Sequence, residues 1–405
     1  MKKNRFAFLR PKKMSKIASA EKNLKQAHEA LKTSLFKWKP DESVAAMFFK
    51  KAAEDYKAAR KLKESNECLD SAIENFKKAN EWYSAGKAFE TKAMNIKMET
   101  ESGVTVAQKT FSIEALKNYE SSLANAAICF NQNGSVDSTF HILNKGSSTI
   151  DNQISRLAFS TKTPDLNLIE AMTLAAVNLS KISYEALLNT QKVERSQDIA
   201  SNMSTMSKIL LRYYNLSKKE EILMKILKLL LERNHHHCVS SLENNIAPGK
   251  LGTYATEIIM LHLENDDFIA AKRYWDAVNN PNLSNNIHTQ ITGVKSIEEA
   301  NILTEAVQNN HGYGVMVNLM KYWDDDNGDK CQETLKSHYF KNLETEFVKM
   351  IQNLKNVPTG MGSAPEQLKE SENLHQMPSM PTGESEFDFN AIPGEEEEED
   401  DDDLL

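Results

Sequence analysis

Apolar residues in the first part of the chain recur at steps of three and four. Ile17, Ala20, Leu24, Ala27 and Leu31 share one helical face at that spacing. A longer repeat lies on top of it. Residues 51–59 read KAAEDYKAA and residues 71–79 read SAIENFKKA. Ala52 matches Ala72, Glu54 matches Glu74, Lys57 matches Lys77 and Ala59 matches Ala79; Asp55 stands against Asn75, and Tyr56 against Phe76. A period near 20 residues is one helix plus one turn, so two units make a helical hairpin of the tetratricopeptide kind. Each hairpin leaves an apolar face bare, and stacking on its neighbours buries it. Chains built this way connect proteins more often than they catalyse.

Punctuation supports a helical body. Between Asp41 and Val357 the only prolines are Pro164, Pro248 and Pro281, as helices require because proline removes a backbone donor and clashes with the preceding turn. Ser217 with Glu220, and Ser296 with Glu299, have capping-box spacing. Thr163–Pro164 reads as an N-cap followed by proline at the first helical position. Gly134–Ser135 reads as one helix ending and the next beginning. No strand-rich section with Asn-Gly hairpins is visible. The repeat fades after Phe159, and the pattern breaks at His235–His237, where a turn is expected. The predicted fold is all-α: a tetratricopeptide-like hairpin solenoid, a C-terminal helical bundle and a disordered acidic tail. The expected divisions are a basic flexible arm (1–14), repeats (15–234), bundle (235–355), and a Pro-rich linker with the tail (356–405).

The chain has 405 residues, 40 % hydrophobic and 26 % charged, enough for a sizeable core. Its net charge of −8 hides a division. Of 49 basic and 57 acidic residues, 1 and 15 lie beyond Lys355, so the body carries +6 and the tail −14. The body suits acidic proteins or anionic lipid, and the tail a basic partner. The first 14 residues, MKKNRFAFLRPKKM, are basic, and no acid precedes Glu21. Mitochondrial presequences share this composition; a plain basic arm is the expectation. Cys68, Cys129, Cys238 and Cys331 lie far apart without a CxxC pair, which points to buried thiols in a reducing compartment. No apolar run is long enough to span a bilayer.

Three features carry candidate chemistry. Leu35, Phe36, Lys37, Trp38 and Lys39 sit before Pro40, between two expected helices. Such a loop can place apolar rings in a bilayer interface and lysines against anionic headgroups. The same rings also suit a cap over the first hairpin. The tail ends in nine acids and then Leu404 and Leu405. Like charges keep such a block unfolded, while its leucines can dock in a partner's pocket and its acids steer toward basic residues. His235, His236, His237 and Cys238 are metal-ligand types, but consecutive helical residues point about 100° apart. Structural metal sites space their ligands, so no metal and no cofactor are expected. Gly312-Tyr313-Gly314 lacks the third glycine and the preceding strand of a dinucleotide fingerprint, and other catalytic motifs are missing. No enzymatic activity is expected. Basic residues alternate with acids, so no nucleic-acid partner is expected either.

These pieces together resemble the soluble NSF attachment proteins, most closely their gamma type. The matching stretch runs from about Ser15 to Asn152. It contains LKTSLFKWKPD (Leu31–Asp41), FFKKAAEDYKAARKLKES (Phe48–Ser65), AGKAFETKAMNIKM (Ala85–Met98) and ALKNYESSLANAAICFNQNGSVDSTFHIL (Ala115–Leu143). From Leu166 to Asn356 only helical pattern and order agree. The resemblance implies a non-enzymatic, cytoplasmic adaptor peripherally associated with membranes. Its partners would be the four-helix SNARE complex, with its syntaxin-type proteins, and the AAA ATPase NSF, in vesicle-mediated transport. By position, Leu35, Phe36 and Trp38 would attach it to membranes. Leu405, with Leu404, would stimulate the ATPase. Lys57, Lys77, Lys87 and Lys97 are candidates for SNARE contact only as charges on early helices. The basic arm, the segment Glu99–Thr110 and the long linker depart from the family pattern. Two rivals remain open: a general tetratricopeptide co-chaperone, and a helical metal-dependent hydrolase using His235–Cys238.

Overall fold

The computed structural model describes residues 9–33, 38–103, 105, 109–160, 164–190, 192–244, 247–281 and 290–358. It is all-α, without a strand among those residues. Among the described residues nine long helices come first: α1 Leu9–Leu31, α2 Glu42–Ala58, α3 Leu62–Lys78, α4 Trp82–Glu101, α5 Ile113–Gln132, α6 Val136–Ser160, α7 Leu166–Leu188, α8 Ser196–Ser217 and α9 Glu221–Asn244. Shorter ones follow: α10 Leu251–Glu264, α11 Phe268–Asn279, α12 Ile297–Gln308, α13 Tyr313–Asp324, α14 Gly328–Leu335, α15 His338–Lys341 and α16 Thr345–Gln352. Each helix from α1 to α9 packs on the next, and α5 also meets α7, as stacked hairpins require.

Five turns share one device. A single residue takes the left-handed conformation before the next helix starts: Arg60 (φ 58°), Asn80 (59°), Gly134 (73°), Asp266 (59°) and Asp326 (51°). The following amide donates to the carbonyl five positions back. Lys61 reaches Tyr56 at 2.9 Å, Glu81 reaches Phe76 at 2.8 Å, and Ser135 reaches Phe130 at 2.8 Å. Asp267 to His262 (2.9 Å) and Asn327 to Tyr322 (2.8 Å) repeat the bond. These bonds satisfy carbonyls that a helix end leaves unpaired. Arg60 and Asn80 occupy equivalent places in the twofold sequence echo, so the turn repeats along with the helix.

The echo is also one of burial. Ala52 and Ala72 are wholly buried, Tyr56 and Phe76 are buried, and Glu54 and Glu74 are exposed. Ala20, Ala52, Ala53 and Ala88 pack with Tyr56, Leu69 and Ile73. Ala27, Ala45, Ala46, Ala72 and Ala85 pack with Phe49 and Phe76. Small side chains let the helix axes approach, and the rings fill the space left between them.

The C-terminal unit is a cluster of short helices on the end of the array. α10 packs on α9, α11 and α12, and α12 packs on α9. α16 then returns to lie on α8, beside α10. The described residues, 9 to 358, belong to one compact unit; the linker and tail beyond Pro358 lie outside the described residues.

Several expectations change. α1 begins at Leu9, inside the segment expected as a flexible arm. Pro11 falls in its first turn, where no intrahelical donor is lost. Asp165 rather than Thr163 caps α7, accepting from the Asn167 and Leu168 amides at 3.1 and 3.2 Å; Thr163 lies outside the described residues. Ser217 belongs to α8, which ends where Lys218 turns left-handed (φ 57°), so Ser217 and Glu220 do not form a capping box. α9 runs unbroken through His235–His237 to Asn244, and the boundary expected at residue 235 falls inside a helix. Ser296 caps α12 by accepting from the Glu299 amide at 3.2 Å, as its spacing predicted. Gly134 ends its turn as expected.

Gly134 gives a clean test of the turn device. A Cβ built there meets nothing within 4 Å, so only backbone conformation opposes it. Gly134→Ala is expected to lower the unfolding free energy by about 1 kcal/mol, read from the shift of the urea midpoint. An unchanged midpoint would contradict a left-handed residue 134.

Candidate functional site

The first hairpin is closed from both sides of its loop. The Asp41 amide donates to the Ala30 carbonyl at 3.0 Å, and the Asp41 carboxylate caps α2 by accepting from the Val44 amide at 3.1 Å. Trp38, held between these anchors and the loop, is 87 % exposed. Lys39 and Pro40 are exposed beside it, whereas Leu35, Phe36 and Lys37 lie outside the described residues. The Ser43 hydroxyl donates to the Glu81 carboxylate and so joins this tip to the α3–α4 turn. Val44, Met47 and Tyr83 add exposed apolar surface at the same end. Trp38, the aromatic ring of the loop that is described, therefore faces outward.

The four candidate lysines stand on three helices: Lys57 on α2, Lys77 on α3, and Lys87 and Lys97 on α4. The Lys57 and Lys77 carbonyls accept from Arg60 and Asn80 in equivalent turns. The Lys77 ammonium lies 5.0 Å from the Phe89 ring centre. Lys87 donates to Glu90 at 2.8 Å and stands 5.6 Å from the centre of the Phe130 ring. Lys97 pairs with Glu101 on its own helix at 3.8 Å. Leu404 and Leu405 lie outside the described residues.

Two buried polar clusters emerge that no local pattern announced. In the first, Arg212 of α8 donates through Nε to Glu346 of α16 at 2.9 Å, and through Nη1 to the Asp151 carboxylate and carbonyl of α6. Asn215 donates to the Glu346 carbonyl at 2.9 Å, and Lys349 to its carboxylate at 2.9 Å. Burial works to raise the Glu346 pKa, but the hydrogen bonds from Lys349 and Arg212 outweigh it and hold it low. Burial wins at Asp151 and raises its carboxyl, despite Arg212 nearby. This cluster holds the last described helix on the array. The one sequence signal for it is a charge, Arg212, set inside the apolar run Ile209–Tyr214.

The second cluster contains the histidines. Arg233 donates to Glu257 of α10 at 2.8 Å while its guanidinium lies 3.5 Å over the centre of the Tyr254 ring. Asn234 donates to the Tyr274 hydroxyl of α11 at 3.0 Å. His235 Nδ1 lies 2.8 Å from Glu299 of α12, and the edge of His237 meets Tyr254 at 5.5 Å. Neighbouring side chains thus turn to different helices, as a single helix dictates. Cys238 is wholly buried, which pushes its thiol above the ordinary range. Among the described residues no group of three or more His, Cys, Asp or Glu is placed to hold a metal ion. The cluster packs α10, α11 and α12 onto α9, and it supplies no turn.

No protein-family model matches the chain, and no curated protein matches it. Among the described residues no helix is long and apolar enough to cross a membrane.

The buried histidines make stability depend on pH. Burial pushes His236 down to about 3, and pushes His237 down to about 4. An unfolded histidine titrates near pH ~6.5, so the unfolded chain binds more protons as pH falls from there. The stability that the neutral rings contribute is complete above the unfolded pKa and is lost on acidification toward their folded values. Between pH 7 and pH 5, wild type should lose about 4 kcal/mol more than a His236→Gln/His237→Gln variant, roughly half from each ring, measured by urea unfolding. Equal losses would place the titrating groups elsewhere.

Proposed function

We propose that the chain is a non-enzymatic adaptor that binds SNARE four-helix complexes of the syntaxin type. It recruits the AAA ATPase NSF to them at the cytoplasmic surface of membranes, in vesicle-mediated transport. Trp38 carries this reading. It stands 87 % exposed beside Lys39 on a tip closed by Asp41, inside the LFKWKPD stretch that bears the family resemblance. Stacked hairpins suit a helical cargo because they offer a long surface with many weak charged contacts in place of one pocket. Lys57, Lys77, Lys87 and Lys97 contribute only as part of that distributed charge. The acidic tail supplies Leu404 and Leu405 to the ATPase.

One crossed experiment tests the reading on vesicles carrying SNARE complexes. Trp38→Ser should weaken attachment to SNARE-free vesicles and keep SNARE binding in solution. Removal of Leu404 and Leu405 should keep both and lower the stimulation of ATP hydrolysis. Binding to SNARE complexes should weaken as ionic strength rises. Salt-independent SNARE binding, or stimulation unaffected by the truncation, would count against the proposal.

A further inference from the structure

We propose that the α5–α6 turn is a site of spontaneous covalent modification, in which Asn133 loses its side-chain nitrogen to attack by the Gly134 backbone and becomes isoaspartate or aspartate. The site is independent of the proposed adaptor role. The chain contains two Asn-Gly pairs, Asn133–Gly134 and Asn327–Gly328. A following glycine leaves its amide nitrogen unshielded by a side chain, and it does so at both pairs. Their places in the fold are different.

Both pairs lie in the turn that recurs along the array, at different registers. In the α5–α6 turn the glycine is itself the left-handed residue (φ 73°), and Asn133 ends α5 just before it. Asn133 and Gly134 are both exposed. Asn133 Nδ2 donates to the Ser135 hydroxyl at 3.0 Å, so the carboxamide folds forward across Gly134. A Cβ built on Gly134 meets nothing within 4 Å, which leaves the approach open. In the α13–α14 turn Asp326 is the left-handed residue, and Asn327 is already the cap of α14. Its side-chain oxygen accepts from the Lys330 amide at 3.2 Å, and Gly328 is buried as the first residue of the helix.

The reaction needs only water. The Gly134 nitrogen attacks Cγ of Asn133. An N–Cγ bond forms, the Cγ–Nδ2 bond breaks, and the proton of the Gly134 amide leaves with Nδ2 as ammonia. Water then opens the five-membered imide. Opening at the main-chain carbonyl gives isoaspartate, and opening at the side-chain carbonyl gives aspartate. No atom is oxidised or reduced. Ring closure requires the Asn133 ψ, now 0°, to rotate, and that rotation gives up the bond from the Gly134 amide to the Asn131 carbonyl at 2.9 Å. An exposed turn opens at far less cost than the whole fold. At Asn327 the same rotation also discards a helix cap, which lowers the population of the reactive form about fivefold.

The products disturb the turn that forms them. A carboxylate at position 133 faces the negative end of the α5 dipole. Isoaspartate also lengthens the main chain inside a turn closed by the Ser135 amide on the Phe130 carbonyl at 2.8 Å. The Phe130 ring meets Tyr83 of α4 at 5.4 Å, so the change reaches the contact between α4 and α5.

Ageing of the full chain in mildly alkaline buffer tests this. Trypsin separates the two sites, on the peptides Asn118–Lys145 and Tyr322–Lys330. The first should gain the mass of an NH-to-O exchange, placed at residue 133 by fragmentation, at least about fivefold faster than the second gains it at residue 327. An isoaspartyl methyltransferase should label the first peptide. In urea, where neither turn nor cap survives, the two rates should converge. Asn133 that stays unmodified would overturn the proposal, as would a folded chain in which Asn327 reacts as fast. A ratio of rates that is the same in urea and in buffer would overturn it too, because sequence and not the turn would then set the rate.

Discussion

The close approach of α1, α2 and α3 depends on side chains that end at Cβ. Ala20, Ala27, Ala45, Ala46, Ala52 and Ala72 are all wholly buried, and each stands where a larger residue would push two helix axes apart. Once the axes are close, Tyr56, Phe49 and Phe76 fill the remaining gaps. The left-handed turns then set where each following helix begins. A hairpin built this way has little freedom to re-pack. The backbone bond from Asp41 to Ala30 ties the end of the α1–α2 loop to α1, beside the exposed Trp38.

The far end of the array uses a different chemistry. The Arg212 cluster and the Arg233–Glu257 pair are buried ion pairs, which contribute little net stability but lose several kcal/mol when one partner is removed. Their value lies in specificity: a wrongly docked α16 or α10 would leave a charge without a partner. Apolar alanine faces define how the hairpins stack, and charged pairs define how the shorter helices close on them. The last described helix is tied to α8 by Glu346, so the linker begins from a fixed point on the scaffold.

Local features were legible in the sequence, and distant ones were not. The 51–59 and 71–79 echo revealed the hairpin unit because helix, turn and burial all repeat with it. Ser296 and Gly134 are decided within four residues, and their expected roles as cap and turn agree with the structure, whereas the Glu299 carboxylate accepts from the Lys295 amide and leaves the expected capping box half formed. Ser217 misled because Lys218, a residue without special preference for the left-handed region, ends α8 one position later. His235–Cys238 resembled a break because polar residues ended an apolar rhythm. Their side chains instead enter a polar interface with α10, α11 and α12, helices whose placement no local pattern reveals. Arg212 and Glu346 are 134 positions apart, and only the return of α16 brings them together.

The described scaffold carries the exposed Trp38 after its first helix, and its last described helix is tied to α8 by Glu346. That arrangement suits a protein that must hold a membrane, a helical cargo and a motor at once. Reconstitution of SNARE disassembly measures this most directly, with preformed SNARE complexes, the NSF ATPase, ATP and this chain. The account predicts release of the syntaxin-type subunit only when the chain is present and ATP is hydrolysed. Complexes that stay intact, with no chain bound to them at low salt, would contradict it.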